Sequence, residues 1–131
     1  MAKEARETLL AQSVIPVILG NGITAHLLSV KFFYRYRMTS LLCAARKGLL
    51  DYLDPTCDFL RLFRVTEDRL AAERLISLAE EYDETLFVLI PTSEEDRRMV
   101  QRYAAGLESR FIVAEPESVF RKPPFVRASQ A

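Results

Sequence analysis

A single histidine, His26, leaves any acid–base or metal scheme built on imidazole with one ring to work with. There are only two cysteines, Cys43 and Cys57, and no C-x-x-C pair, so a zinc site or a disulfide framework is not expected. Both thiols sit in or beside apolar runs of a chain large enough to bury a core unaided, which reads as free core cysteines in a reducing compartment. Neither lies in a loop with an evident activating base, so no nucleophile and no catalytic residue stand out. Net charge is also missing: 18 Lys and Arg balance 18 Asp and Glu. No overall field draws the protein to nucleic acid or to an anionic membrane, and neither is an expected partner. Long apolar runs are absent too. Stretches such as VIPVIL at Val14–Leu19 fall far short of the ~20 residues that span a bilayer, and the opening MAKEARETLL is charged where a signal peptide is apolar. The expectation is a cytoplasmic protein. No internal repeat is visible.

What is present is the composition of one globular domain: 131 residues, 50% hydrophobic and 27% charged, too apolar for a disordered chain. Val14–Leu19 ends at Gly20 and reads as a strand buried on both faces, with pairing expected to begin at or just after Pro16, which has no N–H. Ile23, Leu27, Val30, Phe33 and Tyr34 recur at helical spacing and predict a helix over 23–36. Leu41–Ala45 and Phe59–Phe63 read as short strands. Thr66 with Glu67 and Asp68 resembles an N-cap, followed by a helix through Tyr82 that is acidic outside. Leu86–Ile90 is a strand closed by Pro91, Ser93 caps a helix through about Leu107, and Phe111–Val113 is a last strand. Residues 1–13 read as a short helix or a frayed end, 14–116 as the domain, and 117–131 as a linker-like tail carrying Pro123, Pro124, Arg121, Lys122 and Arg127. The order β, α, β, β, α, β, α, β predicts an α/β fold: three layers, with an open parallel sheet of about five strands and helices on both faces. Ligands of such sheets gather at the carboxyl ends of the strands, so the loops after Leu19, Ala45, Phe63 and Ile90 are where function is expected.

Gly20-Asn21-Gly22-Ile23-Thr24-Ala25 matches G-x-G-x-x-A between a strand and a helix, a context that lets backbone N–H groups meet an anion at a helix N-terminus. A dinucleotide site also needs an acid at the end of the second strand; Arg46 and Lys47 stand there instead, which points away from NAD and towards NADP. Steric preference for Gly and Asn in tight turns accounts for the same residues without any ligand. Lys31, Arg35, Arg37, Arg46 and Lys47 gather positive charge, while Glu67 to Glu84 is acidic. Of Phe32, Phe33, Tyr34 and Tyr36, at least two must be core or interface, because four neighbouring residues point all round a helix.

Ile90-Pro91-Thr92-Ser93-Glu94-Glu95-Asp96, a helix, and then Leu107-Glu108-Ser109-Arg110-Phe111-Ile112-Val113 before Pro116 resemble, in that order, the N-terminal pre-ATP-grasp domain of carboxylate-amine ligases of the ATP-grasp superfamily, carbamoyl-phosphate synthase included. The opening strand, the Gly/Asn turn and a helix carrying Ala25 and Ser29 resemble it too, so the likeness runs from Val14 to Pro116. Val30 and Lys31 stand where such domains often carry an arginine after the serine. The resemblance implies a Rossmann-like domain on the substrate side of an ATP-dependent ligase, with MgATP held by further lobes. No stretch after Pro116 offers those lobes, so the chain alone is not expected to ligate.

Three readings stand at this point. The first is a substrate-side or scaffolding pre-ATP-grasp domain, partnered by an ATP-grasp region or by itself, with an anionic or amino-acid ligand at Gly20, Asn21, Gly22, Ile23, Thr24, Arg46, Lys47, Pro91, Thr92, Ser93 and Glu94. In it, Gly22 and Ile23 N–H groups receive the anion and Arg46 or Lys47 pairs with its charge. The second is an NADP-binding domain. The third is an interaction module using Tyr34, Tyr36 and Phe120.

Overall fold

The computed structural model describes residues 12–62 and 68–121. Its elements are β1 (Val14–Leu19), α1 (Ile23–Tyr36), β2 (Ser40–Ala44), α2 (Leu49–Leu53), β3 (Cys57–Arg61), α3 (Asp68–Glu81), β4 (Leu86–Pro91), α4 (Glu94–Arg102), α5 (Ala104–Glu108), β5 (Phe111–Val113) and α6 (Pro116–Arg121). The expected N-terminal segment before Gln12, the Thr66 cap, Phe63 and the tail beyond Arg121 lie outside the described residues.

All five strands are parallel in the order β3-β2-β1-β4-β5. Alternation along the strands sends two sets of side chains to opposite faces. Ile15, Val17, Leu19, Leu41, Cys43, Phe87 and Leu89 pack under Ala71, Leu75 and Ala79 of α3, Met99 of α4 and Leu107 of α5. Ile18, Leu42, Cys57, Val88 and Ile90 pack under Ala25, Leu28 and Phe32 of α1 and Val119 of α6. The architecture is therefore a three-layer α/β fold of the Rossmann-like kind. No helix among the described residues is long and apolar enough to cross a membrane.

Several boundaries differ from the sequence expectation. β1 pairs with β4 from Val14 but with β2 only from Val17. Leu86 N donates to Ser13 O and Gly20 N to Cys43 O, so even-numbered residues, Pro16 among them, face β2. The missing N–H thus delays one ladder and leaves the other intact. β3 starts two residues earlier than Phe59 because its ladder follows β2, Ser40 beside Cys57 through Ala44 beside Arg61. α2 was not expected at all. The helix after Ser93 breaks at Tyr103 (φ −110°, ψ 26°), which separates α4 from α5. Pro116–Arg121 is helical where a linker is expected, and Val119 is fully buried.

Candidate functional site

β1 and β4 are neighbours whose following helices leave to opposite faces, so a crevice opens at their carboxyl ends, where ligands of such sheets collect. Gly20 turns the chain there with φ +117°, a conformation that L side chains rarely adopt, and a Cβ on it would collide with Thr92 Oγ1. The Thr92 hydroxyl donates to Leu19 O at 2.5 Å, locking the two loops together. Gly22 is the N-cap of α1 in extended conformation; no side chain caps this helix and its first turn holds no acid. A Cβ at Gly22 would meet nothing within 4 Å. Among the described residues no side chain caps the first-turn N–H groups of this 14-residue helix, which carry partial positive charge at the carboxyl end of β1.

The helix on the other side is built in the opposite sense. Ser93 Oγ accepts from Asp96 N at 3.1 Å and donates to Asp96 Oδ2 at 2.8 Å, and Glu94, Glu95 and Asp96 fill the first turn of α4. That terminus is satisfied from within. A cleft of about 250 Å3 opens on the α4 side of the sheet, lined by Leu19, Gly20, Cys43, Ala45, Glu95 and Asp96 among others. Burial first, then the Asp96 charge, push the Cys43 thiol up to about 12 against the opposing pull of Arg74, so the thiol on the cleft wall is far from being a thiolate.

Behind the Gly20 turn lies a buried polar network. Asn21 Nδ2 donates to Arg46 O and to Asp51 Oδ2, each at 2.7 Å, and Gly48 N donates to the same Asp51 oxygen at 2.6 Å. Asp51 Oδ1 stands 2.8 Å from His26 Nε2, and Asp54 Oδ2 stands 2.6 Å from His26 Nδ1. With a carboxylate oxygen at each nitrogen, the ring donates at both only as imidazolium; a neutral ring needs a carboxyl proton for one contact. Thr56 donates from N at 2.8 Å and from Oγ1 at 2.5 Å to Asp54 Oδ1. Its hydroxyl proton is thereby used, so Ser29 Oγ donates to Thr56 Oγ1 at 2.8 Å. Burial alone would push the Asp54 carboxyl up, but the hydrogen bonds from His26 and Thr56 outweigh it and hold the group below the usual carboxylate range.

The residues singled out from the sequence take distinct places. Gly20 lines the cleft, whereas Gly22, Ile23 and Thr24 are exposed at the start of α1 and are not among its lining residues. Asn21 is turned away from it, into the clamp with Asp51 and Arg46. Arg46 is exposed, whereas Lys47 stacks its ammonium 4.4 Å from the Tyr52 ring centroid. Pro91 is buried in register with Leu19, Thr92 and Ser93 bond inward, and Glu94 is exposed beside Arg97. Tyr34 and Phe120 are exposed, while Tyr36 is half-buried with its ring 6.1 Å from Phe32. α1 also bares Ile23, Leu27 and Val30 on the side opposite its buried face, and α2 bares Leu49, Tyr52 and Leu53.

Asp51, Asp54 and Thr56 escaped the sequence reading. Their contacts with His26 and Ser29 span 25 to 28 residues, beyond any local spacing rule. The available signal was a lone histidine on the buried side of a helix, which must find polar partners somewhere.

No family model, curated protein or solved structure matches the chain.

Proposed function

We propose that this chain is a substrate-side domain of the pre-ATP-grasp type, which holds a small amino-acid-like ligand at the β1–β4 switch point for a separate ATP-grasp region. The observation that carries the reading is the contrast between the two helix starts: α1 bare and free of acids, α4 capped and carrying Glu94, Glu95 and Asp96. A zwitterion fits that contrast. Its carboxylate lies against the first-turn N–H groups of α1, beyond Gly20 at the edge of the cleft, with exposed Arg46 past the end of β2 as a cation, and its ammonium faces Glu95 on the cleft wall. The chain's part is binding and orientation. In this reading MgATP belongs to the ATP-grasp region and not to this chain.

The test is the thermal unfolding midpoint with α-amino acids, MgATP and NADPH added singly. A ligand at 100 times its dissociation constant stabilises the native state by about 2.7 kcal/mol, an easily read rise. The expected result is a response to an amino acid that disappears in Gly22→Leu. A response to NADPH alone would replace this reading with a dinucleotide site, for which Arg46 past the end of β2 is the favouring feature. A mass that grows with concentration, with no ligand response, would favour the interaction module, for which the bared apolar side chains of α1 and α2 speak.

A further inference from the structure

His26, Asp54 and Cys57 come from α1, the connection between α2 and β3, and the first residue of β3. One ligand-type atom from each, a ring nitrogen, a carboxylate oxygen and Sγ, lies within 4.8 Å of the other two. His26 and Cys57 are buried and Asp54 nearly so. Each donor is also held from behind. Asp51 Oδ1 fixes the ring through Nε2 at 2.8 Å, the carboxylate–histidine arrangement that orients a metal-binding imidazole and leaves Nδ1 to face the ion. Thr56 occupies Asp54 Oδ1 with two hydrogen bonds, which turns Oδ2 towards the ring. Cys57 Sγ makes a long contact of 3.9 Å to Asp54 O and also interacts with the Asp54 and Ser29 side chains.

We propose that His26 Nδ1, Asp54 Oδ2 and Cys57 Sγ bind one divalent transition-metal ion, with Zn2+ the ion that this nitrogen, oxygen and sulfur set suits. Donors placed tetrahedrally on zinc stand roughly 3.3–3.7 Å apart. The histidine and aspartate atoms, now 2.6 Å apart, open by under about 1 Å to admit the ion, and a rotation of Cys57 brings the sulfur in. Binding takes no electrons. The thiol proton and the proton of the Nδ1···Oδ2 hydrogen bond leave to solvent, and the ion takes their place. A water entering beside exposed Pro55 completes the fourth position. The absence of C-x-x-C does not bear on this site, because Cys43 packs on the opposite face of the sheet and is not a ligand. An ion here ties α1 to the segment that follows α2, the helix carrying Asp51, which holds Asn21 and hence the Gly20 turn.

The experiment is titration of the full chain with Co2+ alone, then with Zn2+, near neutral pH. The expected result is one equivalent of tetrahedral cobalt with a sulfur-to-cobalt charge-transfer band, displaced by zinc. Cys57→Ser loses the band, Cys43→Ser keeps it, and Asp51→Asn weakens binding by about 10- to 100-fold. X-ray absorption of the zinc-loaded wild-type protein, which needs no variant to fold, is expected to count one sulfur among nitrogen and oxygen donors. Absence of cobalt and zinc binding by the wild-type chain, a band that survives Cys57→Ser, or a zinc spectrum without sulfur would each overturn the site.

Discussion

Gly20 and Gly22 stand two residues apart and do different work. Gly20 is needed for its backbone and for the space Thr92 takes, whereas Gly22 leaves room that nothing fills. Gly20→Ala is expected to cost about 1–3 kcal/mol in urea denaturation, from strain at positive φ and a clash with Thr92. Gly22→Leu keeps the urea midpoint within about 0.5 kcal/mol and blocks the crevice instead. Folding shifts Asp54 at the acid end of the pH range, and Cys43 and Cys57, both raised to about 12, at the alkaline end. Asp54 has its carboxyl lowered by folding, so its contribution is present above the ordinary carboxylate value and is lost as pH falls through the folded value. Cys43 is raised from 9.0 to about 12, so its contribution is present below pH 9 and fades between there and pH 12. Urea midpoints across pH are expected to fall at both ends, and Asp54→Asn to flatten the acid limb.

At the scale of elements, the bounds of α1 were legible but its buried face was not: the apolar spacing found Ile23, Leu27, Val30 and Tyr34, which are exposed, while Ala25, Leu28 and Phe32 are buried. β1 was legible for its apolar run and β5 for its spacing, while β3 was displaced because an apolar count finds Phe59–Phe63 and a ladder partner decides Cys57–Arg61. α2 was illegible: five residues between Gly48 and Asp54 are too few to show a period, and its reason for forming is Asp51 at the centre of a long-range clamp. Asp51→Ala is expected to cost about 2–4 kcal/mol, because it removes one of the two partners of His26 and of Asn21 Nδ2 and the acceptor of Gly48 N. The aromatic run of α1 divides sharply. Phe32 is fully buried and Tyr34 is 70% exposed. Phe32→Ala is expected to cost about 3–5 kcal/mol in urea denaturation, and Tyr34→Ala under about 0.5 kcal/mol.

For the whole molecule, the succession of strands and helices pointed to a parallel three-layer fold, but the strand order β3-β2-β1-β4-β5 rests on pairings that no sequence period encodes. That order makes the site: it sets the bare start of α1 beside the acid-capped start of α4 across one crevice. The G-x-G-x-x-A turn was visible in the chain, but the capping contrast becomes informative only once β1 and β4 are neighbours. The central claim is that a small zwitterion seats there. The most direct measurement is the amide NMR spectrum of the 15N-labelled chain as the amino acid that raises its unfolding midpoint is titrated in. The account predicts that the amides of Gly20 to Ala25 and Thr92 to Asp96 shift together and that the shifts vanish in Gly22→Leu. Shifts confined to other parts of the sheet, or shifts at Gly20 to Ala25 that survive Gly22→Leu, would contradict it.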